Sequence, residues 1–555
     1  MLQRWDYLLV TASNDPQARA YEAQLRERRE KGLLPQAGEV LLVADPEGRR
    51  IGSGGSTLYC LAEVVNRELA KAGAPLQGDG APERILSGLR ILILHAGGDS
   101  RRLPAYGACG KIFVPLPGES GGALGPTLFD RLAGTLLNLP APPHAAGQVV
   151  VASGDALLLF DPQVLQPAPT GVTALSNTTT AEEASRHGVF SAAPDGRLRR
   201  FLQKPSLKMQ QETGLLNQDG KALLDLGLMS FDAATAARWL RVFEFRFGAD
   251  GSYGWTGAMK ELIFERGLDI YREICCALGS ETGEQEYIEA AKSGGSAWDR
   301  DTLREIFPAL HSVPMQVRVA PSCSFLHFGA TRQLFDSGLA LLVIDGASPP
   351  ADSRLFLNSL VEAGAEITGE RAWIEGCEIS APVTLGGGNV LVGVDIHQPL
   401  ELPPGACLDV LPGLKRNGAP VWFVRCYGVR DTFKDKLQKG AEFCGLPLSQ
   451  WLDKAGAPVA AVWDDAAPAE GPSLWNARVF PAVDSAEDYR DWLWMYNPSL
   501  ATAEQKRAWL TADRYSMAEM AFLSRLDEFH GRRARIREKT VRPESQDDTY
   551  VRAAK

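Results

Sequence analysis

The residues with the most chemical potential crowd onto one stretch, HAGGDSRRLPAYGACGK (95–111). Gly97 and Gly98 let the backbone turn sharply and bring N–H groups close to an anion. Ser100, Arg101, Arg102 and Lys111 follow, and guanidinium and ammonium groups neutralise phosphate oxygens. No G-x-x-x-x-G precedes Lys111 and no Ser or Thr follows it, so the loop is not a Walker A loop; nor does it carry the dinucleotide fingerprint G-x-G-x-x-G. Binding of a phosphate chain remains, set against the bland reading of a basic surface loop. Asp155, in VVVASGD, is a second candidate. An Asp just past an apolar run is placed to hold Mg²⁺ against nucleotide phosphates, or simply to cap the turn before ALLLF. Lys204, in RLRRFLQKPS, is stiffened by Pro205 and either reaches into a site or lies on the surface. In GSGGSTL (52–58), Gly54 and Gly55 followed by Ser56 and Thr57 read as a second phosphate-facing loop or as a tight hairpin. His95 reads equally as a structural histidine or as one contacting base or ribose. The spacing of His187 and His327 assigns them no role.

Buried strands must position these groups. WDYLLVTAS (5–13), EVLLVADPEG (39–48), RILILHAGG (90–98) and GQVVVASGD (147–155) are short apolar runs bounded by glycine and polar turns. Such runs fit strands buried on both faces of a parallel sheet. A charged helix is expected over 15–32, stopped by Gly32. Strands alternating with helices indicate an α/β layered fold, with ligands at the carboxyl ends of strands. HAGGDSRR and SGD both sit there. From 351 to 430 helical periodicity fades. ITGERAWIEGCEISAPVTLGGGNVLVGVDI (367–396) suits short parallel strands stacked as coils of a β-helix, with a β-sandwich as the alternative. Apolar residues return to helical spacing in 485–496, 502–512 and 516–539, with Ser485 and Ser516 at expected helix starts. The division expected is an α/β domain over 1–315, a β-helix over 316–445, a helical segment over 446–540 and a polar, disordered tail over 541–555.

Composition excludes several classes. The chain has 555 residues and a net charge of −10, which argues against non-specific binding to nucleic acid or anionic membranes. Nine cysteines occur without a C-x-x-C pair or metal-ligand spacing, so they read as reduced structural thiols. No apolar stretch reaches the length of a membrane span, and the first residues lack a signal-peptide pattern. A cytoplasmic location is expected.

HAGGDSRRLP with GK, SGD and FLQKP together resemble the sugar-1-phosphate nucleotidyltransferases. With GSGGSTL, HGVF (187–190), SCSFLHFGAT (322–331), CYGVRDTFK (426–434) and LWNARVFP (474–481), the chain more narrowly resembles the GDP-fucose pyrophosphorylase family, from near residue 5 to about 535. The resemblance implies a Rossmann-like nucleotidyltransferase domain, a left-handed sense for the β-helix, and synthesis of GDP-L-fucose from GTP and L-fucose 1-phosphate. Other sugars, UTP, or a non-catalytic nucleotide-sugar sensor are the alternatives. It also implies roles: Gly97, Gly98 and Ser100 around nucleotide phosphates; Arg102, assisted by Arg101, and Lys111 at the reacting phosphates; Asp155 on Mg²⁺; Lys204 on the sugar phosphate. For a further ligand, LDIYREICCALG (268–279) offers Asp269 and Tyr271, with Glu273 where the family carries a second Asp. Asp225 in LLDLGLMSF is the rival, as a metal ligand or a sugar contact. Bifunctional relatives add a sugar kinase, whose glycine/serine-rich ATP loop is not found here. Kinase activity is therefore not expected, a separate kinase is a possible partner, and no oligomeric state is implied.

Overall fold

Strand β1 (Trp5–Ala12) is an inner strand of a mixed sheet, and its apolar run explains its burial: Leu8, Leu9 and Val10 are all 0% exposed. The computed structural model describes residues 4–541 apart from 73–77, 79, 99, 120–123, 143–146, 432 and 464–470. Two compact units emerge. The first comprises residues 1–18, 34–97 and 131–325, and the second comprises 19–33, 98–130 and 326–555. The expected boundary at 315/316 falls close to the break after Phe325. However, residues 19–33 and 98–130, expected in the first domain, belong to the second unit.

In the first unit β1 pairs in parallel with β2 (Ala37–Ala44) and β3 (Arg90–His95), and β3 pairs in parallel with β4 (Gln148–Ser153). Strand Lys221–Phe231 then runs antiparallel to β4 and to Val172–Thr180, which pairs in parallel with Met315–Val319. The parallel sheet expected from sequence is therefore mixed. Register aligns the carboxyl ends, with His95 opposite Ser153. Helix α1 (Asp15–Glu30), whose residues from Arg19 on belong to the second unit, ends before Gly32, whose φ of 66° gives the chain its turn.

One expectation fails in this unit. GSGGSTL is neither a loop nor a hairpin but the start of helix α2 (Gly52–Ala72). Gly54 and Gly55 both donate their N–H groups to Leu268 O, at 2.8 and 3.1 Å. A Cβ on Gly54 would lie 2.8 Å from Leu268 Cγ and 3.1 Å from Leu268 O. These glycines let the helix pack directly on the Leu268–Ile270 backbone, and their N–H groups are committed there rather than to phosphate.

In the second unit three ladders of short parallel strands stack. The first joins Arg354–Leu357, Ala372–Glu375, Asn389–Val392 and Ala406–Leu414, the register pairing Arg354 with Ala372, Ala372 with Asn389, and Val390 with Cys407. Leu360–Val361, Glu378–Ile379 and Asp395–Ile396 form the second; Ile367–Thr368, Val383–Leu385 and Leu400–Leu402 form the third. Ala406–Leu414 then pairs antiparallel with Pro420–Gly428, and Phe480–Val483 and Arg514–Tyr515 extend the same sheet. Ser485 and Ser516 start helices through reciprocal capping boxes, with Asp488 and Glu519. The single helix expected over 516–539 is instead two, Met517–Leu523 and Leu526–Val541. Between them Ser524 bridges to Gly413 and Arg525 N donates to Pro412 O, so sheet pairing interrupts the helix. Apart from Val541, the expected tail lies outside the described residues.

Candidate active site

The carboxyl end of the first unit's sheet gathers acidic side chains. Just past β4, Asp155 Oδ1 accepts a 2.7 Å hydrogen bond from Ser153 Oγ. Asp225 sits opposite Ser176, at a register shift in the antiparallel pair. Its Oδ1 accepts the Gly227 N–H at 2.8 Å. Gly227 has φ 68°, and a Cβ there would lie 3.3 Å from Tyr271 Oη and 3.4 Å from Ser153 Cβ. Glycine is thus required where the Asp225 strand, the end of β4 and Tyr271 converge. Asp269 opens the π-helical turn Ile270–Ile274, its Oδ1 accepting N–H bonds from Tyr271 and Arg272 at 3.0 Å each.

Electrostatics bind this group together. Burial pushes the Asp225 carboxyl up to about 7; the Gly227 N–H opposes the rise and the Asp269 charge adds to it. Burial likewise raises the Tyr271 phenol well above its ordinary value, with the charges of Asp225, Cys275, Asp269 and Asp155 adding. Three carboxyl groups, those of Asp225, Asp269 and Asp155, thus act electrostatically on one half-buried phenol. Among the described residues no three His, Cys, Asp or Glu side chains form a ready metal cluster. Glu273 supports the backbone instead, since its Oε2 accepts the Asp269 N–H at 2.6 Å while the side chain is 1% exposed.

Lys204 is exposed and held in the left-handed region at φ 50°, its N–H donating 2.8 Å to His187 O. A lysine in that conformation is strained by about 1 kcal/mol. The next residue after His187, Gly188, abuts Asp225: a Cβ there would lie 3.0 Å from Asp225 Oδ2. Lys204 and Asp225 are thus tied to one short stretch. His95 Nε2 lies 3.0 Å from Thr57 Oγ1, and burial pushes its pKa down to about 4, which suits a neutral structural ring. The Gly97 N–H is taken by Thr11 Oγ1 at 3.2 Å, so its part in a phosphate cradle is not through that group.

The cationic loop, Gly98 to Lys111, belongs to the second unit. Ser100 is buried with φ 56°, and its carbonyl accepts the Leu103 N–H at 2.7 Å. Arg101 lies over the Trp475 ring, 5.5 Å from its centroid. Arg102 O accepts the Thr331 N–H at 2.8 Å. Gly110, at φ 77°, precedes Lys111, and a Cβ there would lie 2.0 Å from Tyr21 Oη. The structure thus sorts the candidates into Asp155, Asp225, Asp269 and Lys204 in one unit and the cations Arg101, Arg102 and Lys111 in the other. Sequence reasoning missed Ser153 and Gly227; the glycine inside the apolar run LLDLGLMSF was the available signal.

A family model described as the fucose pyrophosphorylase domain matches residues 83–485. The chain belongs to that family. Among relatives of this chain, a bifunctional fucokinase/GDP-fucose pyrophosphorylase from Arabidopsis thaliana is 26% identical over 560 residues, covering 93% of this chain and 50% of the relative. The chain therefore spans about half of that relative's length. A fucose-1-phosphate guanylyltransferase from Mus musculus is 25% identical over 534 residues, covering 87% of this chain and 85% of the relative. A Thermus thermophilus crystal structure described as a mannose-1-phosphate geranyltransferase covers 77% of this chain and 96% of its own, at 14% identity and a TM-score of 0.27.

Proposed function

We propose that this family member is a fucose-1-phosphate guanylyltransferase, joining GTP and L-fucose 1-phosphate to give GDP-L-fucose and pyrophosphate. The observation that carries the reading is the family match over residues 83–485, a span that contains the cationic loop, Asp155, Lys204, Asp225 and Asp269. A phosphate oxygen of the sugar phosphate attacks the α-phosphorus of GTP in line. The new P–O bond forms as the α–β anhydride bond breaks, and pyrophosphate leaves with the electron pair. The nucleophile is already an anion, so the site must offset charge and fix geometry rather than remove a proton.

Arg102 and Lys111, with Arg101, are assigned to the phosphates of GTP, and Ser100 and Gly98 to the turn that presents them. Lys204 is assigned to the sugar phosphate and Asp225 to the sugar side of the site. Asp155 and Asp269 are the residues we assign to Mg²⁺, which when bound would neutralise phosphate charge and polarise the α-phosphate. The sugar phosphate would come from a sugar kinase. We also read the three parallel ladders of the second unit as coils of a β-helix, followed by a helical segment. No helix among the described residues is long and apolar enough to cross a membrane. All nine cysteines are free thiols, and we propose a cytoplasmic location.

The test is pyrophosphate release from purified protein with Mg²⁺, GTP or UTP, and a panel of sugar 1-phosphates. Release confined to GTP with fucose 1-phosphate is expected. Release with another pair would keep the chemistry and replace the substrate. No release from folded protein would overturn the enzyme reading.

A further inference from the structure

Within the second unit, two buried ion pairs lie under the turn that carries the cations. Asp409 and Arg425 stand directly opposite each other on the antiparallel strands Ala406–Leu414 and Pro420–Gly428. Arg425 Nη2 is 3.0 Å from Asp409 Oδ2, and the side chains are 3% and 1% exposed. The same guanidinium reaches out of the sheet: Nη1 donates to Pro104 O at 3.2 Å and Nη2 to Ala105 O at 3.3 Å. Beside it, Glu375, fully buried, accepts Arg533 Nε at 2.7 Å and Asn358 Nδ2 at 2.9 Å. Tyr106 Oη, one residue past Ala105, accepts Trp373 Nε1 at 2.8 Å and approaches Glu375 Oε2 at 3.5 Å.

A buried ion pair is a poor source of net stability, because desolvation consumes most of the attraction and an apolar replacement often serves as well. What it contributes here is placement: the buried Asp409 charge keeps the Arg425 guanidinium beside the turn, and the directional bonds are those from Arg425 to the two carbonyls. Three consecutive residues, Pro104, Ala105 and Tyr106, are held by polar groups with fixed angles, and a planar guanidinium meeting two adjacent carbonyls leaves the turn little freedom. Arg102 lies two residues before Pro104, and Lys111 lies five residues after Tyr106.

We propose that Asp409 and Arg425 are a positioning pair for the cationic loop: Asp409 orients the Arg425 guanidinium, which fixes the Pro104 and Ala105 carbonyls and thereby the placement of Arg101, Arg102 and Lys111. Neither residue touches a substrate. The catalytic consequence rests on the guanylyltransferase reading; the mechanical one does not.

The experiment compares the full chain with the double variant Asp409→Leu/Arg425→Met, which removes both charges together and avoids stranding one. Three readouts are taken: the urea midpoint, the rate of tryptic cleavage at Arg101, Arg102 and Lys111, and kcat and KM for pyrophosphate release. The expected result is a urea midpoint near wild type, cleavage at least ten-fold faster at those three sites, kcat down at least ten-fold, and KM for the sugar phosphate within about two-fold. Should the double variant fail to fold, Arg425→Lys, which retains charge but loses the planar fork, is expected to show the same changes at smaller amplitude. A folded variant with wild-type cleavage and kcat within two-fold of wild type overturns the proposal. If wild-type protein releases no pyrophosphate, the functional reading fails, and unchanged or faster cleavage still decides whether the pair holds the loop.

Discussion

Gly54→Ala separates close packing from phosphate binding. Gly54 lies in helix α2 with ordinary helical backbone, so alanine is not excluded by φ and only space matters. Its Cβ would sit 2.8 Å from Leu268 Cγ, 3.1 Å from Leu268 O and 3.2 Å from Ile270 N. Carbon–carbon contacts settle near 3.5–4.0 Å, so the helix and the Leu268–Ile270 backbone must part. That stretches the Gly54 and Gly55 bonds to Leu268 O, at 2.8 and 3.1 Å, and the 3.0 Å bond from Ile270 N to Ser53 Oγ. Overpacking costs about 1–3 kcal/mol and each weakened buried bond about 0.5–1.5 kcal/mol, while the better helix propensity of alanine returns about 1 kcal/mol. The expected net loss is about 2–6 kcal/mol, read as a lower urea midpoint at unchanged slope. Gly55→Ala is the milder comparison: its Cβ would meet Ile51 Cβ, fixed to its own backbone, at 3.0 Å and Ile263 Cγ2, which can shift, at 3.3 Å, so a smaller loss of about 1 kcal/mol is expected. A Gly54→Ala protein as stable as wild type would refute the packing argument.

Asp155→Ala and Lys111→Ala should each lower turnover by about 10²–10³ while leaving the urea midpoint close to wild type, as expected for groups that stabilise charge at the reacting phosphates; near-normal pyrophosphate release in either would sink the assigned roles. Lys204→Ala and Lys204→Gly should raise KM for the sugar phosphate equally, but the glycine variant should be about 1 kcal/mol the more stable because Lys204 sits at φ 50°; equal stability would show that the conformation carries no strain. His95 has its pKa lowered to about 4 by burial, so the unfolded chain takes up a proton first as pH falls. Its contribution is complete above about pH 6.5 and is lost toward pH 4, up to about 2 kcal/mol once partial exposure is allowed for. Wild type should therefore lose stability relative to His95→Gln across that window, and parallel urea midpoints would contradict it.

Much of the first unit was legible because buried strands betray themselves. RILILH and QVVVAS are apolar between their polar ends, and both form strands with ends in register. Charge and glycine at those ends marked Asp155 and the cationic loop. GSGGSTL misled because glycines that admit a neighbouring backbone look, in sequence, like glycines that admit a phosphate; only Leu268, more than two hundred residues away, distinguishes them. The break at Ser524 was illegible for a similar reason, since helical periodicity continues through it and the competing partner, Gly413, is remote. The carboxylate group around Tyr271 required knowing which strands are neighbours: Asp225 comes beside Ser176 through antiparallel pairing that no local pattern announces. The Asp409–Arg425 pair is likewise a product of cross-strand register.

The most direct measurement is the fate of the α-phosphorus of GTP. Protein, Mg²⁺, fucose 1-phosphate and GTP labelled at the α-phosphorus are incubated, and the products are separated. The label is expected to move into GDP-fucose while unlabelled pyrophosphate is released in equal amount. Label remaining in GTP, with folded protein and all substrates present, would contradict the guanylyltransferase reading.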